Sequence, residues 1–133
     1  ATNPAVTQEN IATTICVPGW TKTIRPPASY TNALKKRQLP AGADLHAYEE
    51  DHLISLELGG NPTDERNLWP EPWTGTWNAH IKDHLENELH RRVCAPKNAM
   101  PLAQAQSMIA TDWKAAYCVV FSNRAPCDRI GPK

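Results

Sequence analysis

Apolar positions recur along this chain at two periods, and each period marks an element. Trp77, Ile81, Leu85 and Leu89 fall four apart, the spacing of one face of an α-helix. It predicts a helix over 78–93, with Asn78 as a residue of the type that caps first-turn amides. A second helix is expected from Pro101 to Tyr117, with Leu102, Ala105, Met108 or Ile109, and Trp113 on its packed side. Ser29 opens a shorter helix that runs to Leu39. Tyr30, Leu34 and Gln38 stand at i+4 spacing in it, and Lys35, Lys36 and Arg37 lie on its other face.

Between these stretches the pattern shortens to that of strands and turns. Tyr48 to Leu58 takes its apolar content from Leu53, Ile54, Leu56 and Leu58. Gly59-Gly60-Asn61-Pro62 is a firm turn. Asn67-Leu68-Trp69 reads as a short return strand that Pro70-Glu71-Pro72 stops. Thr21 to Arg25 alternates weakly and reads as a short strand ended by Pro26-Pro27. Residues 1–15 are a polar arm pinned at Cys16, Val17-Pro18-Gly19-Trp20 is a turn, and Val119-Val120-Phe121 is a short apolar tail segment. A hairpin followed by helices gives an α+β class in a single domain.

Composition sharpens this picture. The chain has 133 residues, enough for one modest core that buries about two-thirds of the unfolded surface. Twelve Pro residues limit the sheet and imply long irregular segments. Four cysteines without a CxxC pair exclude paired-cysteine zinc sites and point to two disulfides. Of the three pairings, Cys16–Cys94 with Cys118–Cys127 is favoured: one ties the arm to the end of the central helix, the other closes a short loop. The start at Ala1, with neither Met nor an apolar leader, fits a processed protein that is secreted or periplasmic. No apolar run is long enough to span a membrane.

A net charge of zero conceals three blocks. Residues 1–43 hold five basic and one acidic residue, 44–89 hold two and eleven, and 90–133 hold seven and two. A binder of nucleic acid on this plan brings basic flanks around an acidic, metal-attracting centre.

The candidate chemistry sits in that centre. His52 is a neutral base near pH 7 without a large pKa shift, and Asp51 directly precedes it. In a regular strand the two point to opposite faces, so the chain must bend there, or the two groups reach a phosphate from different sides. Asn67 offers a carboxamide. His80 lies in the first helical turn, with His84 one turn deeper. His46 and His90 read as structural. There is no GxSxG, HExxH or phosphate-cradling glycine frame, and nothing fixes the spacing of a glycosidase pair among the central acids. An acid, an imidazole and a carboxamide in one compact unit suit phosphodiester hydrolysis assisted by one divalent cation.

The run from Glu50 through Asp51-His52-Leu53-Ile54 to Gly59-Gly60, then Asn67-Leu68-Trp69-Pro70, then Ala79-His80-Ile81-Lys82-Asp83-His84-Leu85-Glu86 resembles the HNH endonucleases, in their small secreted bacterial form. The resemblance covers about residues 48–90 and implies a ββα-metal core, a short β-hairpin and a helix. Around it stand an N-terminal arm over 1–43, braced by a disulfide, and a C-terminal helical extension over 101–133. It implies Asp51 and His80 as metal ligands, His52 as general base, and Asn67 as orienting the base or helping to bind metal. Mg2+ or Mn2+ is the catalytic ion it implies, and the imidazole also admits Zn2+. The expected partner is nucleic acid, double-stranded DNA before RNA, cut by a monomer with little sequence preference. Lys35, Lys36, Arg37 and Lys82 are the expected phosphate contacts. Many members of that family carry a CxxC-bound structural zinc that this chain lacks, so disulfides and helices must brace the site. The intact set of Asp51, His52, Asn67 and His80 argues against a binding module on a degenerate scaffold. Failure to bind a divalent metal would favour one.

Overall fold

Helix α3, Ala79–Val93, begins where Asn78 Oδ1 accepts the amide of Ile81 at 3.1 Å, the cap that this residue type supplies. Its buried face is Ala79, Lys82, Leu85, Glu86, Leu89 and Val93. Leu85, Leu89 and Val93 are wholly buried and join Leu102, Ala105, Ile109 and Trp113 of α4, Leu102–Val120, in one core. Burying a side chain such as Leu85 contributes about 1.5–3 kcal/mol. Trp77 closes the end of this layer, edge-on to Trp113 and Tyr117 at ring separations of 5.7 and 5.9 Å. The computed structural model that shows this describes residues 1–127. The part of the expected C-terminal extension beyond Cys127 lies outside the described residues.

α4 is longer than its periodicity suggests, because it takes in Val119 and Val120. It is also broken: Asp112 has φ −163° and ψ 90°. Its carboxylate accepts the amide of Ala115 at 3.1 Å, so it caps the second half of the helix as Asn78 caps α3.

The sheet is a two-stranded antiparallel hairpin, β1 (Tyr48–His52) with β2 (Leu68–Pro72), in the register Glu49↔Glu71, Asp51↔Trp69 and His52↔Leu68. β1 is shorter than the apolar content of 48–58 implied; Leu56–Leu58 is a 3-10 turn. β2 runs through Pro70 to Pro72 and does not stop at Pro70. A strand with a neighbour on one side only tolerates a residue without an N–H.

Helix α2, Ala28–Gln38, fastens to the hairpin by polar contacts. Lys35 Nζ donates to Tyr48 O at 3.1 Å, and Gln38 Nε2 donates to Leu68 O at 2.9 Å. The segment expected as a strand at Thr21–Arg25 is instead a short helix, α1 (Trp20–Ile24). Gly19 starts it with φ +82°, a conformation natural to glycine, and the Thr23 hydroxyl donates to Trp20 O at 2.6 Å. Among the described residues, no strand outside the β1–β2 pair is present for it to join.

Both favoured disulfides are present, Cys16–Cys94 and Cys118–Cys127. The first holds the arm against the end of α3, where His90 Nε2 also donates to Ile15 O at 2.7 Å. Among the described residues, no helix is long and apolar enough to cross a membrane.

Candidate active site

The strand ends at His52, and the last two side chains of the strand both reach one cleft. Leu53 N donates to Asn67 O at 2.8 Å. The Asn67 side chain then grips the next residue, accepting from Ile54 N at 2.9 Å and donating to Ile54 O at 3.0 Å. The chain thus turns out of the ladder immediately after the pair. Asp51 and His52 are 7% and 6% exposed and line the same cleft of about 470 Å³. The bend follows the pair: Asp51 and His52 still lie in the ladder, so their side chains reach the cleft from different sides of the strand.

His52 Nε2 lies 2.8 Å from Pro62 O. A carbonyl only accepts, so Nε2 carries the proton and Nδ1 keeps its lone pair in the neutral ring. Burial lowers the His52 pKa, against the opposing pull of the Pro62 contact and of Asp51. The imidazole is held as a neutral base of defined tautomer. The Pro62 carbonyl is itself held in place. Asn67 Nδ2 donates to the neighbouring Asn61 O at 3.1 Å, and from outside the loop Tyr30 Oη donates to Thr63 O at 2.6 Å while Arg37 pairs with Glu65 at 2.8 Å. Gly60 makes this packing feasible: a Cβ there would stand 1.7 Å from Ile54 O and 2.9 Å from Asn67 Nδ2.

Opposite the hairpin, α3 contributes Asp83, Glu86 and Asn87 to the cleft. Beneath them Lys82 is fully buried. Its Nζ lies 2.7 Å from Asp51 Oδ2 and 2.9 Å from Glu86 Oε2, and it donates to His52 O at 2.9 Å. Burial alone would favour the neutral amine, but Glu86 and Asp51 outweigh it and hold the ammonium charged above its usual range. Glu49, Asp51 and Asp83 each bring a carboxylate oxygen within 4.8 Å of the others. Burial, then the charges of Asp51 and Asp83, push Glu49 up to about 8. Glu71 faces Glu49 across the ladder, is wholly buried and, among the described residues, has no hydrogen-bond partner at either oxygen. Burial and then Asp51 push it up to about 8. Burial also raises Asp83. One lysine therefore serves a group of carboxyls that it cannot neutralise.

Several residues singled out from the sequence sit elsewhere. Asn67 is wholly buried with its oxygen and amide engaged, so it braces the His52 loop and does not face a metal. His80 is exposed, rests against Trp73 at a ring separation of 5.1 Å, and is not part of the cleft wall. The hairpin meets α3 at Lys82, which puts the turn containing Asp83, not the first turn, over the site. Lys82 is an internal tether and cannot touch a phosphate backbone. Lys35 and Arg37 are engaged in holding α2 and the His52 loop. Lys36 is exposed without an intramolecular partner among the described residues. His84 and His46 are exposed, away from the cleft.

The residues not anticipated are Glu49, Glu71, Asp83 and Glu86, with Thr21 in the first turn of α1 and Arg25 just after its end, which form the wall contributed by the arm. One signal was available. Ala79, Lys82, Glu86, Leu89 and Val93 follow alternating steps of three and four, so a lysine and a glutamate occupy core positions of an amphipathic helix. Comparison with known proteins finds no match to a family model, to a curated protein or to a solved structure.

Proposed function

We propose that this cleft hydrolyses phosphodiester bonds of nucleic acid with the help of one divalent cation, in the manner of the HNH endonucleases that residues 48–90 resemble. The observation that carries the reading is His52: a buried neutral imidazole with Nε2–H on Pro62 O, in a cleft whose other polar groups are predominantly carboxyls. His52 Nδ1 accepts the proton of the attacking water. Arg25, among the described residues the one Lys or Arg side chain in the cleft wall, binds the substrate phosphate. Lys82 keeps the carbonyl of the base and the carboxylate of Asp51 in register.

The donors present fit a divalent cation, because Asp51 and its neighbouring acids are hard oxygen ligands that a cation would hold ionised in place of their protons. When bound, such an ion supplies neutralisation of the phosphate and of the leaving oxygen. Mg2+ or Mn2+ suits these donors. The expected substrate is double-stranded DNA, approached through its backbone without a base-reading element. Two disulfides suit an oxidising compartment, so we place the activity outside the cytoplasm, in a monomer.

The test is plasmid DNA incubated with Mg2+ or Mn2+, with and without chelator, beside the His52→Ala protein. Nicking that needs the metal and falls by about 10²–10⁴-fold in the variant is the expected result. Activity within a few-fold of the wild type, or undiminished by chelator, rejects the reading.

A further inference from the structure

The reading above leaves the ligands of the cation open, and the resemblance alone would supply an imidazole from the first turn of α3. The geometry points to a different set: we infer that the cation is held by carboxylates alone, Glu49 and Asp51 from β1 and Asp83 from α3, with Glu71 behind them as a further oxygen donor. This inference rests on the cleft being a cation-assisted site.

Three observations carry it. Glu49 and Asp51 are two apart on a regular strand, so their side chains leave the same face, and Asp83 reaches them from the helix. One oxygen from each lies within 4.8 Å of the other two. An ion at about 2.0–2.6 Å from each of its ligands spans separations of that size. The ion pair with Lys82 uses Asp51 Oδ2, which leaves Oδ1 for a ligand bond.

Glu71 is the independent observation. It is wholly buried, and neither oxygen has a hydrogen-bond partner among the described residues. Its place opposite Glu49 in the ladder puts it on the face that carries Glu49 and Asp51. A buried carboxyl without a partner costs free energy, and the nearby Lys82 is already committed to Asp51, Glu86 and His52 O. A cation among these four acids satisfies an oxygen that the protein leaves unsatisfied. His80, exposed against Trp73, has no part in it, and the pairing of His52 with Pro62 leaves that ring free to act as a base.

The experiment is Mn2+ binding to the whole, disulfide-intact protein, followed by electron paramagnetic resonance and calorimetry, with cleavage assayed separately. Saturable binding is expected, weakened about tenfold or more in Glu49→Gln and in Asp83→Asn. Both substitutions keep shape while removing charge. His80→Ala should bind within twofold of the wild type. Pulsed resonance on the wild-type Mn2+ complex needs no variant and should show no nitrogen modulation from a coordinated imidazole. Imidazole nitrogen on the ion, unchanged affinity in both carboxamide variants, or no saturable binding would overturn the inference. Binding by these carboxylates without DNA cleavage would reject the nuclease reading and keep this one. Cleavage by a nitrogen-coordinated ion would do the reverse.

Discussion

At the residue scale, two side chains set the base. Burial lowers the pKa of His52, so the ring stays neutral at pH values where a free histidine is already charging. The acidic limb of a kcat/KM profile should therefore fall below pH 6.5, the ordinary histidine value; a limb above 6.5 would show that neighbouring acids dominate. Asn67 acts through the backbone. Asn67→Ala strips partners from Ile54 N, Ile54 O and Asn61 O at once. At about 1–3 kcal/mol for each unsatisfied buried group, and with the two Ile54 groups buried, a loss of at least about 2 kcal/mol is expected in denaturant unfolding. Asp51 and His52 were legible in the sequence because an acid beside a histidine is a chemical statement at one locus. The role of Asn67 as a brace was not, since a carboxamide serves as ligand or as backbone mimic equally well until its partners are seen.

At the element scale, the junction of β1 with α3 rests on Lys82. Lys82→Met would keep the volume and leave Asp51 and Glu86 buried without their cation. Breaking a buried pair this way costs about 3–5 kcal/mol. Adding Glu86→Leu should recover part of that loss, and equal stability of the single variant and the wild type would count against the tether. The helices were readable from period alone, and so was the cap at Asn78. The short helix at Trp20–Ile24 was not, because five residues carry too little pattern to separate helix from strand. Nor was the break at Asp112, whose surroundings keep a helical spacing on both sides. The acids of α3 were not legible as site residues, because charge usually means exposure; here Lys82 and Glu86 lie on the core side and turn Asp83 toward the hairpin.

At the scale of the whole molecule, the acidic middle block is the cleft, and the basic arm supplies its wall at Arg25. This arrangement has a pH signature. Glu49 and Glu71 titrate near 8 in the folded protein against 4.5 ordinarily. The folded state then holds more protons than the unfolded one, so stability present below 4.5 is lost as pH rises toward 8. Between pH 6.5 and 8, where His52 adds little, the thermal midpoint of metal-free protein should fall. Added Mn2+ should recover more of it at pH 8 than at 6.5. A flat or rising midpoint over that interval would show that these carboxyls are not held protonated.

The bridge between Cys16 and Cys94 has a topological consequence. Both strands, α3 and every residue assigned to the cleft lie between those two cysteines in the chain, inside a single covalent ring. One turn within that ring, Pro40 to Gly42, is exposed, the kind of place where proteases cut. A cut there opens the ring without dividing the molecule, and the two pieces stay joined beside the helix that carries Asp83. In surroundings rich in proteases, a nicked chain of this design keeps its parts together for as long as one sulfur–sulfur bond survives.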